Sequence, residues 1–226
     1  MSAGASIVQE SLPHTVNVAI HVAFGTGCLL LGLMALITRK GGRLHIRFGR
    51  YFLACLAVVI ATAVVGILAF GFRAFLGVIT MLAAYEAYSG YRSLKIRFSG
   101  PQLQDAAVSV AGISATLLFI AYLRSVHIQW APVVIYSTLG TLVVVASYDL
   151  VRFTFPKHWF ERTWLYEHIV KMLGAYNAVA SAFSGTVLEK WQPYSQMAPS
   201  ILGVAAMVGF IIYFRRNRKA LAIAAT

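Results

Sequence analysis

The chain has 226 residues, 59% of them hydrophobic and 12% charged, with a formal net charge of +12 and a mean hydropathy of +0.75. A soluble domain keeps about a quarter of its residues charged to cover its surface, so this composition argues against a soluble globular fold and for a membrane protein. The cations sit in short clusters between apolar runs, the pattern of a topology signal, and nucleic acid is not the expected partner.

The opening segment MSAGASIVQESLPHT has no Lys or Arg ahead of the first apolar run and is not expected to be a cleaved signal peptide. A spanning helix needs roughly 20 apolar residues for a hydrocarbon core of about 30 Å, and seven stretches qualify. The first runs over 14–37 and stops at Thr38-Arg39-Lys40-Gly41-Gly42. Cys28 lies within it, and Cys55 within the next; both read as packing residues, since no CxxC motif or disulfide framework exists. The block Tyr51 to Tyr91 would reach roughly 60 Å as one helix at 1.5 Å per residue. It must fold back, and Gly71-Phe72-Arg73 marks the break between spans 50–71 and 74–92. The fourth, fifth, sixth and seventh spans cover 105–123, 130–151, 163–188 and 197–214. The chain reads as one integral domain, an all-α bundle of seven transmembrane helices.

The loop cations alternate. One side would hold Arg39, Lys40, Arg43, Arg47 and Arg50, then Arg92, Lys95 and Arg97, then Arg152, Lys157 and Arg162, then Arg215, Arg216, Arg218 and Lys219. The other would hold Arg73, Arg124 and Lys190. Positive charge stays cytoplasmic, so the N-terminus is expected outside and the C-terminus inside. Trp130, Trp191 and Tyr194 fall at the outer interface, Trp159 and Trp164 at the inner one, and Phe155 to Arg162 is expected to lie along the inner surface.

The sixth span, WLYEHIVKMLGAYNAVASAF, is the least ordinary. At 100° per residue, Glu167, Lys171, Gly174, Ala175, Ala178, Ala182 and Gly185 share one face. Ile169, Met172, Leu173, Tyr176, Val179 and Phe183 share the other. The small face suits helix contact and the bulky face suits lipid. Lys171 would lie roughly 12 Å inside the boundary, where a lone charge costs about 2.5–3.5 kcal/mol. Glu167, four residues before it, is a natural partner. Glu86 of YEAYSGYR also points inward by the small residues Ala83 and Gly90 on its face. Asp149, three residues before Arg152, reads first as an interfacial arginine partner, and His45 as a residue of the headgroup surface. Taken together, Glu86, Glu167, His168 and Lys171, with His45 and Asp149 near the entrance, form a candidate polar site in the inner half. His21 reads as a packing or hydrogen-bonding residue, and His14, His127 and His158 as interfacial.

Three functional classes follow. A proton-coupled carrier or binder of a small molecule would use Glu86 and His168 to exchange protons and Lys171 to meet an anionic group. A membrane oxidoreductase would hold haem b or a transition metal through His45 and His168, although no HxxxH or HExxH occurs. A structural or assembly subunit would need no chemistry of its own. A retinal Schiff base on Lys171 fits poorly, because that lysine is on the sixth helix and not the last.

The strings HVAFGTGCLLLGLMAL, TRKGGRLHIRFGR, YSGYRSLK and EHIVKMLGAYNAVASAF, with the Pro199-containing helix, resemble an uncharacterised family of bacterial predicted multi-pass membrane proteins. The resemblance covers most of the chain. It implies the bacterial inner membrane and points to His21, His45, Arg92, His168 and Tyr176 as motif positions, without implying a reaction.

Overall fold

The structure is a computed structural model describing residues 12–71, 74–125 and 132–217. Arg73, His127, Trp130, Arg218 and Lys219 lie outside the described residues, as does most of the expected break at 71–73. The described chain is all-helical. Its seven long helices are α1 (Leu12–Ile37), α2 (Arg43–Val65), α3 (Ala74–Ser99), α4 (Leu103–Ser125), α5 (Pro132–Val151), α6 (Lys157–Val187) and α7 (Tyr194–Arg216). A single π-turn, Gly66–Phe70, continues α2, and short 3-10 turns follow α5 and α6.

Local chemistry sets the ends. Gly41 has φ +75°, a left-handed conformation that side chains disfavour, and lets α1 reverse into α2 within five residues. The Lys40 ammonium folds back onto the carbonyls of Ala35, Leu36 and Thr38 and stacks over the Phe210 ring, 4.7 Å away. A cation there compensates the negative end of α1. Pro156 caps α6 in an extended conformation. The segment Phe155 to Arg162, expected along the membrane surface, instead enters α6 at Lys157 without a break. Pro156 supplies the reason: its fixed φ turns the chain once, and the six residues after it are free to propagate helix.

Neighbouring helices run antiparallel. Asn17 of α1 bonds Thr62 O of α2, and His45 of α2 bonds Ala35 O of α1. His168 of α6 meets Gly90 of α3, while Glu86 of α3 meets Gly174 of α6. The C-terminal ends of α1, α3, α5 and α7 and the N-terminal ends of α2, α4 and α6 therefore share one end of the bundle. It carries Arg43, Arg47, Lys95, Arg97, Arg162, Arg215 and Arg216, and we call it the basic end.

Among the described residues, five helices are long and apolar enough to cross a membrane: α1, α2 with its π-turn, α4, α5 with its 3-10 turn, and α7. In α1 and α7 the apolar window is only 11% buried. Leu30, Leu117, Leu118, Val144, Ile201 and Leu202 stand exposed. Apolar side chains directed outward over such lengths need hydrocarbon around them. α3 and α6 are also long, but they are less apolar and lie inside, packed on one another, with α5 beside α3 and reaching α6 through its side chains.

This placement corrects the reading of α6. Most of its bulky face does not meet lipid. Ile169 and Leu173 are buried against Phe214 of α7 and Leu36 of α1, and Val179 and Tyr176 pack on Phe52 and Leu56 of α2. Of that face, Phe183 is exposed. A helix inside a membrane bundle is apolar on every side that meets another apolar helix, so residue size cannot separate lipid from protein.

Candidate functional site

Asp149 comes from the last turn of α5, Arg152 from the 3-10 turn that follows, and Glu167 and Lys171 from successive turns of α6. All four are buried, Arg152 and Asp149 to within 1%. Arg152 Nη1 lies 2.7 Å from Glu167 Oε2 and 3.2 Å from Asp149 Oδ1. Lys171 Nζ lies 2.5 Å from Asp149 Oδ1 and 3.6 Å from Glu167 Oε2. Each cation thus touches both carboxylates, and the ring of two acids and two bases has no net formal charge.

Neutral donors occupy the remaining carboxylate oxygens. Asp149 Oδ2 accepts from the Tyr85 hydroxyl at 2.9 Å and from Ser89 Oγ, both on α3. Glu167 Oε1 accepts from the Tyr148 hydroxyl at 2.8 Å and from Thr163 Oγ1 at 3.3 Å. The Tyr85 hydroxyl also lies 2.8 Å from Ser109 Oγ of α4, whose single proton is shared between Tyr85 and Asp105 O. Close by, Arg92 grips Asp105 with Nε at 2.6 Å and Nη2 at 2.7 Å. Asp105 also accepts from the Gln102 backbone N–H and so caps the start of α4. One hydrogen-bonded network therefore ties α6 to α5, α3 and α4. Burying any one of these charges alone would cost several kcal/mol; sharing them makes a polar helix tolerable inside the bundle.

Glu86 stands apart. It is 3% exposed, and its Oε2 has neither a hydrogen-bond partner nor solvent contact. It is near enough to Lys171 for the two charges to interact, without a hydrogen bond or ion pair between them. Its carboxyl lies flat against Gly174, where a Cβ would overlap it. Gly174 is therefore required for the acid to occupy the α3–α6 seam at all.

His168 and His45 form a second small group toward the basic end. His168 Nδ1 lies 2.9 Å from Gly90 O, and His45 Nδ1 lies 2.9 Å from Ala35 O. A carbonyl only accepts, so Nδ1 carries the proton in both rings and each Nε2 is left with its lone pair. The two imidazoles are close enough to influence each other electrostatically. His21 Nδ1 bonds Thr62 Oγ1 at 2.9 Å, and Thr62 in turn donates to Val58 O. Tyr176 packs across Gly32 beside Phe52. Among the described residues, no three of His, Cys, Asp and Glu converge to hold a metal ion.

Of the six residues expected at the site, Asp149, Glu167 and Lys171 meet directly. Glu86 borders them, and His168 and His45 sit to one side. Asp149 is not at an entrance: it is the most shared member of the ring. Sequence reasoning paired Arg152 with Asp149 at the interface but missed its burial and its bridge to Glu167, and it missed the hydroxyl donors Tyr85, Ser89 and Tyr148. The spacing of Asp149 and Arg152 was a usable signal for the arginine, and Tyr85 and Ser89, four apart on α3, for the hydroxyls. Arg92, also read as a loop cation, is buried on Asp105.

No protein-family model matches the chain, and neither does any curated protein or solved structure.

Proposed function

We propose that this is a seven-span membrane protein of the bacterial inner membrane that binds or carries a small molecule in step with a proton, and that Glu86 is the proton-exchanging group. The observation that carries the reading is the contrast at the α3–α6 seam: a buried carboxyl without a hydrogen-bond partner beside a ring whose charges already cancel. Ionisable groups inside a membrane bundle are expensive, and an unpaired one points to work on protons or ions. Five apolar helices surround α3 and α6, which cross as an inner pair. The basic end faces the cytoplasm, by the excess of Lys and Arg there, and the N-terminus lies outside. Lys171, shared between two acids, is the cation that an anionic group of the solute would engage.

The test uses proteoliposomes enclosing a pH-sensitive dye. An imposed gradient of the right solute class should move protons in the wild type and not in Glu86→Gln. Folded wild-type protein that moves no protons under any solute gradient would end the reading.

A second reading rests on the imidazoles. With Nδ1 held on a backbone carbonyl, His45 and His168 each present a free Nε2, the arrangement of ligating histidines. In a haem or metal oxidoreductase these two would be the ligands. Purified protein with a Soret band, or with stoichiometric iron or copper lost in His168→Ala, would establish that reading in place of the first.

A further inference from the structure

The α6–α7 seam leads away from Glu86 toward the end of the bundle opposite the basic one, and its inner surface is polar. On α6, Gly174, Asn177, Ser181 and Ser184 recur at spacings of three and four and so share a face. α7 answers in antiparallel register. Ser200 Oγ lies 3.2 Å from Ser181 Oγ, and Gln196 packs on Gly185. Pro199 has no N–H to give to Ser195 O one turn back, and Ser184 Oγ takes that place at 2.6 Å. Gln196 is 2% exposed, yet neither its Nε2 nor its Oε1 has a partner in the protein, and the buried Ser195 hydroxyl has none either. Two buried polar groups without hydrogen-bond partners, Glu86 and Gln196, therefore stand at the two ends of this polar track.

We propose that this seam holds a file of water molecules that carries protons between Glu86 and the side of the membrane opposite the basic end. The spacing suits water. From Gly174, where Glu86 rests, to Asn177 is about 4.5 Å along the axis, and on to Ser181 about 6 Å. Two hydrogen bonds of about 2.8 Å through one water bridge such a step. Buried water goes where polar groups converge without partners of their own, which describes Gln196 and Ser195; the Ser181, Ser184 and Ser200 hydroxyls bond one another or a backbone carbonyl and keep oxygen lone pairs that water can donate to. A proton arriving at Gln196 would pass along the waters to the Glu86 carboxylate, and the reverse transfer would release it. Gln196 and Ser181 are positioning residues: they order water and do not hold the proton.

This inference rests on Glu86 as the exchanging group, so the experiment reads both. Protein in lipid nanodiscs is subjected to a rapid pH change while the carboxylic acid C=O band of Glu86, identified by its loss in Glu86→Gln, is followed in the infrared. Gln196→Leu should slow the response of that band by about tenfold or more, as a barrier raised by about 1.4 kcal/mol would, and leave the band itself in place. Ser181→Ala, small enough to fit without strain, should also slow it. A thiol at position 181, made by Ser181→Cys after the native cysteines are replaced, should react with a small water-soluble methanethiosulfonate; one at the lipid-exposed position 183 should not. An unchanged rate in both seam variants, or an unreactive thiol at 181, overturns the water file while Glu86 still titrates. Absence of the Glu86 band in the wild type overturns the proton reading itself.

Discussion

Asp149 and Glu86 are both acidic side chains sealed within one bundle, about equally hidden from solvent, and they have opposite surroundings. Asp149 meets Lys171, Arg152, Tyr85 and Ser89; the Glu86 carboxyl meets a bare glycine backbone. The ring around Asp149 is built for cohesion, since every charge in it is shared and the helices it joins are the inner ones. The seam at Glu86 gives up cohesion, and that sacrifice needs a function. The two regions should therefore respond oppositely to substitution.

The largest effect is expected at the ring. Lys171→Met leaves Asp149 and Glu167 with a single cation between them, and breaking a buried ionic cluster in this way costs about 3–5 kcal/mol. Thermal unfolding in mild detergent should show a pronounced fall in Tm; a Tm within error of the wild type would mean the ring contributes nothing to cohesion. Adding Glu167→Gln removes the surplus negative charge while keeping an acceptor for Tyr148. The double variant should then be more stable than the sum of the two single losses predicts, by about 0.5–3 kcal/mol. Simple additivity would show that Glu167 and Lys171 do not act as one unit.

Gly174→Ala comes next. Its methyl group would occupy the place of the Glu86 carboxyl, an overpacking that costs about 1–3 kcal/mol. Because the clash is with that carboxyl, Glu86→Ala should relieve most of it. If Gly174→Ala is equally harmful with Glu86 absent, the contact at 174 lies elsewhere. Glu86→Gln, by contrast, should leave Tm nearly unchanged, because no ion pair is lost. The smallest effect is expected at His45→Ala, which removes one hydrogen bond to Ala35 O near the basic end, about 0.5–1.5 kcal/mol; a larger fall would signal a bound group that the imidazole holds.

The bundle's outline was legible in the sequence because apolar runs of spanning length are a strong one-dimensional signal, and the inward face of Glu167 and Lys171 followed from helical periodicity. The partners were not legible. Nothing in a linear pattern says that the end of α5 meets the third and fourth turns of α6, so Arg152 read as a loop cation when it is a buried bridge. The bulky face of α6 misled for a related reason: lipid and a neighbouring helix make the same demand on Ile169 and Leu173. The seam of Asn177, Ser181, Ser184 and Gln196 went unseen because uncharged polar residues scarcely disturb an apolar run, and their alignment across α6 and α7 exists only after folding.

The most direct measurement is an infrared pH titration of the protein in lipid nanodiscs, comparing the wild type with Glu86→Gln and Asp149→Asn. The account predicts a carboxylic acid C=O band that changes with pH, vanishes in Glu86→Gln and survives in Asp149→Asn. A band that is indifferent to Glu86, or that disappears with Asp149 instead, would contradict the division between a closed ionic ring and a separate proton-exchanging acid.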